Sequence, residues 1–202
     1  LDDYALFMAV KGAHGGANWS TWARDIATRQ PAAMAQWRQR VAATIDLQKF
    51  MQYVFFRQWA GVKDAANAHN IRIIGDIPIF VAYDSADAWA NPELFYFDEN
   101  GLPEIVAGVP PDYFSETGQL WGNPLYRWDV MQARGYDWWL ARIQASLRLV
   151  DIIRVDHFRG FESYWAVPAG APNARKGSWE LGPGLDFFRA VQTAFPIGRA
   201  SC

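Results

Sequence analysis

Two short acidic clusters carry residue types suited to catalysis. Asp76 falls near the end of the apolar run Ile71 to Ile77, and Arg154, Asp156 and His157 close the run that begins at Leu149. An acid at the end of such a run is costly to bury without a partner. Arg154 and Asp156 are two residues apart, so in a strand both project to one face. An arginine that close holds Asp156 ionised. A permanently ionised carboxylate suits a nucleophile better than a proton donor. His157 and Arg159 follow directly, as groups able to bind hydroxyls or charge. Taken alone, Arg154 and Asp156 also fit a buried ion pair, and Asp76 fits a strand-end cap.

A second constellation lies between the clusters. Pro111-Asp112-Tyr113-Phe114 and Gln119-Leu120-Trp121-Gly122-Asn123-Pro124 set aromatic rings beside Asp, Gln and Asn, the mixture a sugar subsite uses. Buried aromatics anchoring a loop would look the same. The chain holds 11 tryptophans in 202 residues, and flat rings suit the apolar C–H faces of sugars as well as a large core. A net charge of −2 gives no basic excess for gripping nucleic-acid phosphates. His14, His69 and His157 lack metal-ligand spacing, so no metal is expected. Gly12, Gly15 and Gly16 follow no strand, so no phosphate loop or nucleotide cofactor is expected. The chain has one cysteine, Cys202, no apolar run of ~18 residues and no visible signal peptide. These features predict a cytoplasmic protein without a membrane partner. Asn18-Trp19-Ser20 fits a glycosylation acceptor by coincidence.

The elements that must position these residues follow from spacing. Residues 2–10 read as a helix, 11–20 as a loop with Ser20 as a cap, 31–45 as a helix opened by Pro31, and 47–68 as a long amphipathic helix. Residues 71–77 and 150–156 read as strands buried on both faces, as in a parallel sheet. Residues 129–149 read as one helix and 184–194 as a last one. Residues 82–128 and 157–183 lack periodicity and read as long loops, the first with a hairpin near Glu99-Asn100-Gly101. The overall class is α/β. Both acidic clusters fall at carboxyl ends of parallel strands, where such sheets place active sites.

Three stretches resemble the 4-α-glucanotransferases (amylomaltases) of glycoside hydrolase family 77. They are Gly75-Asp76-Ile77-Pro78-Ile79-Phe80-Val81, the run from Ala107 to Pro124, and Arg154-Val155-Asp156-His157-Phe158-Arg159-Gly160-Phe161. The likeness extends from Asp2 to about Ile197. It implies part of a (β/α)8 TIM barrel, with 71–77 and 150–156 as about strands 3 and 4. Residues 1–69 would be a helical region leading into strand 3, and 80–128 an inserted, loop-rich substrate-binding subdomain. The implied reaction is retaining transfer of α-1,4-glucan segments between maltooligosaccharides. Asp156 would be the nucleophile and Arg154 its orienting partner. Asp76 and His157 would bind sugar hydroxyls, Trp121 would line the acceptor side, and Tyr113 and Phe114 would form the tip around which the glucan bends. Asp112 and Asn123 would belong to the same substrate loop. The family's acid/base motif Ala-Glu-Asp-Leu-Gly and its Thr-His-Asp-Asn motif do not occur in the chain. The 202 residues therefore read as one incomplete barrel fragment, inactive alone, with Pro196-Ile197 opening the next strand. An α-amylase-type hydrolase and a non-catalytic glucan-binding fragment remain as alternatives.

Overall fold

The computed structural model describes residues 1–195; the strand opening expected at Pro196-Ile197 and the single cysteine, Cys202, lie outside them. Helix α1 (Asp2–Ala13) carries Asp2 and Asp3 in its first turn and Lys11 in its last, complementing the helix dipole. A 3-10 turn (Trp19–Thr21) follows, capped by the Asn18 side chain rather than Ser20, because Asn18 Oδ1 accepts the Ser20 N–H. Helix α2 (Arg24–Ala27) leads to α3 (Pro31–Arg40), which has Pro31 in its first turn, and to α4 (Ala42–Ala68). The break between the two long helices falls at Val41, earlier than the spacing suggested.

Strand β1 (Ile74–Pro78) is followed by α5 (Ala86–Ala90), β2 (Ile105–Val109) and β3 (Gln119–Pro124). The expected helix over 129–149 is two, α6 (Trp128–Ala133) and α7 (Asp137–Leu149). Gly135 and Tyr136 both adopt left-handed backbone there (φ 63° and 60°), which no helix continues through. Strand β4 (Ile152–Asp156), β5 (Ser163–Pro168), β6 (Ser178–Leu181) and α8 (Gly184–Ala194) complete the described chain.

The strands form two sheets. β1 and β4 pair in parallel, in the register Ile74–Ile152 through Pro78–Asp156. The other sheet is antiparallel with the order β3-β2-β5-β6. The stretches read as long loops thus contain four strands, and 80–128 shares its sheet with 163–181. The expected hairpin at Glu99-Asn100-Gly101 is a tight turn closed by the single bridge Phe97–Pro103. β1 and β4 are not buried on both faces, and Ile74 and Ile152 are 62% and 37% exposed. Each has one strand neighbour among the described residues, and the apolar side chains of α4 (Phe50, Met51, Phe55) are likewise exposed.

The α4 and α7 helices are joined by polar contacts. The Trp59 indole N–H donates to the Leu149 carbonyl (2.6 Å), and Lys63 Nζ donates to the carbonyls of Leu147 (3.1 Å) and Val150 (2.8 Å). The last carbonyls of α7, which lack intrahelical partners, are thus satisfied from another helix. Among the described residues, three cores hold the rest. One joins α1, α2, α3 and Trp89; a second gathers Tyr126, Trp128, Trp139, Phe161 and Phe187 beneath the antiparallel sheet; a small third one is made by Val106, Val167 and Ala174. Trp19, Trp22, Trp89, Trp128 and Trp139 are buried, so much of the tryptophan excess is core.

Candidate active site at the carboxyl ends of β1 and β4

The parallel register sets Asp76 directly opposite Arg154. Arg154 Nε and Nη2 each donate to one Asp76 carboxylate oxygen at 2.6 Å, a two-pronged pair. This corrects the expectation that Arg154 is spent on Asp156. Side chains two apart on one strand stand about 6.6 Å from each other, whereas cross-strand partners stand closer. Arg154 nevertheless feels both acids: Asp76 first and Asp156 second hold its guanidinium charged above the ordinary arginine range. The pair is open to water, with Arg154 and Asp76 side chains 69% and 52% exposed.

Asp156 ends β4, beside Pro78 at the end of β1. The next residue, His157, turns the chain in left-handed backbone (φ 49°) and starts a 3-10 turn, Phe158–Phe161. The turn is possible because Gly160 lies against the histidine. A Cβ there would come within 2.7 Å of Ile79 Cδ1 and 3.1 Å of His157 Cδ2. The imidazole is half-buried, and desolvation pushes its pKa below the ordinary histidine value. Asp156 partly opposes that shift, and Arg159 adds to it. A neutral ring is therefore favoured at neutral pH, offering one donor and one acceptor.

Trp121 packs against His157 at a ring separation of 4.8 Å and 82°. It sits on β3, not on a loop, and its indole N–H donates to the Gln119 side chain at 3.0 Å. So β3 of one sheet and β4 of the other meet at this ring pair. Asn123 is turned to structural use: its amide donates to the Val81 carbonyl at 2.9 Å. Asp112 Oδ1 accepts the N–H groups of Phe114 (2.9 Å) and Ser115 (2.8 Å), which shapes a turn. That turn leaves Tyr113 and Phe114 at 105% and 97% exposure. Thus Asp76, Arg154, Asp156, His157 and Trp121 gather around one strand end, while Tyr113 and Phe114 project from a separate tip.

Sequence reasoning missed the roles of Gly160 and Gln119 and the partner of Arg159, a residue it had named as able to bind hydroxyls or charge. Gly160 had a signal, a glycine three residues after a histidine, but its reason is the contact with Ile79 across the fold. Gln119, which orients Trp121, was quoted without a role. Arg159 lays its guanidinium 4.6 Å over the Trp179 ring on β6, a contact that needed knowledge of the second sheet.

Acids at the carboxyl ends of a parallel strand pair, with the Trp121–His157 ring pair beside them, stand where α/β proteins carry their active sites. A sequence model of the 4-alpha-glucanotransferase family matches residues 1–200. The chain belongs to that family. It is 52% identical over 195 residues to the 4-alpha-glucanotransferase of Thermus thermophilus and 54% identical over 195 to that of Synechocystis. Each alignment covers 96% of this chain and 39% of the relative, so the chain spans about two fifths of their length. The solved amylomaltase of Streptococcus agalactiae in complex with acarbose superposes with a TM-score of 0.92 at 41% identity, over 95% of this chain and 39% of that one. Among the described residues, no helix is long and apolar enough to cross a membrane.

Proposed function

We propose that these residues are the nucleophile-bearing part of a (β/α)8-barrel 4-α-glucanotransferase acting on maltooligosaccharides in the cytoplasm. β1 and β4 serve as its third and fourth barrel strands, and the antiparallel sheet as a subdomain inserted over the site. The Asp156 carboxylate attacks the anomeric carbon of an α-1,4-glucan. A bond forms to that carbon as its bond to the leaving glucan oxygen breaks, and a general acid protonates the oxygen. The 4-hydroxyl of an acceptor glucan then displaces Asp156, returning a proton to that group and restoring the α configuration. Asp76 and His157 hold hydroxyls of the sugar at the cleavage point, Arg154 fixes Asp76 and adds positive charge beside Asp156, and Trp121 stacks the acceptor. Tyr113 and Phe114 guide the glucan chain.

The observation that carries the reading is the in-register Asp76–Arg154 pair on adjacent parallel strands, with Asp156 and His157 at the end of one of them. Retention also requires a second carboxyl ~5–5.5 Å from the nucleophile. The acid/base motif of the family does not occur in these 202 residues. General acid catalysis contributes ~10²–10⁴-fold, so the chain alone turns over maltotriose at trace level or not at all.

The decisive experiment places residues 1–195 into the Thermus thermophilus relative in place of the matching segment. The chimera should convert maltotriose into both shorter and longer maltooligosaccharides. Asp156→Asn in the chimera should cut transfer at least ~10³-fold while acarbose still binds. Near-normal turnover by that variant overturns the nucleophile assignment. Shorter products alone would instead favour an amylase-type hydrolase, and acarbose binding by an inactive chimera a glucan-binding module.

A further inference from the structure

The aromatic tip bearing Tyr113 and Phe114 is held from behind by a segment remote in sequence. The return limb of the tip, Glu116 to Gly118, meets the connection between β5 and β6 at three points. The Ala174 N–H donates to the Thr117 carbonyl at 3.1 Å. Arg175 Nε donates to the Glu116 carbonyl at 3.0 Å. The Ala174 methyl lies 3.0 Å from where a Gly118 Cβ would stand. Ala174 is itself fully buried, and its carbonyl accepts the Trp165 indole N–H at 2.9 Å, which ties the connection to β5. Gly118 adopts φ +69°, and a side chain there would strike the Val109 carbonyl at 2.3 Å, so only glycine fits where the limb runs back into β3.

The tip also has its own internal bonds: Asp112 Oδ1 to two backbone N–H groups, and Ser115 Oγ donating to the Gly118 carbonyl at 2.7 Å. Those bonds fix its local shape. Its direction relative to the sheet is set at its base by the β2–β3 pairing, Val109 opposite Gln119, and along its return limb by the contacts to Ala174 and Arg175. Two rings with no packing partner would otherwise sweep through solvent, and a mobile platform loses binding free energy on ordering.

We propose that residues 169–177 act as a brace, with Ala174 and Arg175 as positioning residues that aim the Tyr113–Phe114 tip at the glucan. This deepens the functional reading above and rests on it for the identity of the ligand. The brace touches neither Asp156 nor its neighbours, so it acts on glucan binding and on which chain lengths are used, not on bond cleavage.

The test compares wild type, Arg175→Met and Arg175→Lys, with Ala174→Gly as a second way of loosening the brace. Arg175 is exposed, so Met at that position leaves the core intact. In the 202-residue chain, amide exchange of residues 113–118 should speed up roughly fivefold in Arg175→Met, the equivalent of one lost hydrogen bond. Exchange in β1 and β4 should not change, and Arg175→Lys should restore part of the protection. In the chimera, Arg175→Met should raise KM for maltoheptaose several-fold with kcat nearly unchanged. Unchanged exchange at 113–118 in both Arg175→Met and Ala174→Gly overturns the brace. Faster exchange with an unchanged KM overturns its role in aiming the tip. A chimera that never uses glucan defeats the functional reading instead, and the exchange result still decides whether the brace exists.

Discussion

His157 links chain geometry to chemistry at the scale of single residues. Its left-handed backbone, the glycine three residues on and the ring of Trp121 all fix the imidazole over the strand end. Burial lowers its pKa from the ordinary 6.5, so the unfolded chain takes up a proton before the folded one does. The sign follows: stability falls as pH drops through about 6.5 and levels off below the depressed folded value. His157→Gln should shrink the difference between urea midpoints measured at about pH 7.5 and about pH 5.5. An equal difference in both proteins would show that burial of this ring is not felt by the fold. The placement of Asp76, Arg154, Asp156 and His157 at strand ends was legible in the sequence because the short apolar runs and neighbouring positions define it. The partner of Arg154 was not, since Asp76 is 78 residues away and only the pairing of β1 with β4 brings it opposite.

Among the elements, α4 shows how a helix is held by polar side chains where many of its apolar ones remain exposed. Trp59 and Lys63 occupy the terminal carbonyls of α7, and Lys63 also lies 3.5 Å from Asp151. Lys63→Met keeps the aliphatic stem but leaves two part-buried carbonyls without that donor. The expected cost is about 1–3 kcal/mol, read as a lower urea midpoint at unchanged m-value. Lys63→Arg should lose less. The two parallel strands were legible as short unbroken runs of β-branched residues, and the long helix over 47–68 from its three- and four-residue apolar spacing. The antiparallel strands were not, and the reason is local. β2 carries Gly108 where a side chain would strike the Gln119 carbonyl at 2.7 Å, and β3 carries Gly122 and ends on Pro124. Glycine and proline in such short runs erase the alternation that marks a strand. The single helix expected over 129–149 failed for a similar cause, two successive left-handed residues that periodicity does not register.

At the scale of the molecule, neither sheet is made from one stretch of chain. β1 comes before the Tyr113–Phe114 tip and pairs with β4, which comes after it; β2 comes before and pairs with β3 and β5, both after. α4 and α7 are joined across the same divide. An exposed aromatic tip is also where a protease with aromatic preference cuts first. Brief chymotrypsin treatment should therefore give two peptides on a denaturing gel that still elute together on a sizing column in native buffer. Early separation of the pieces would show that the covalent link, and not strand pairing, holds the halves in place. The two-sided sheets make the tip a natural split point: the halves, expressed as separate polypeptides, should find each other and reassemble the site from complementary pieces.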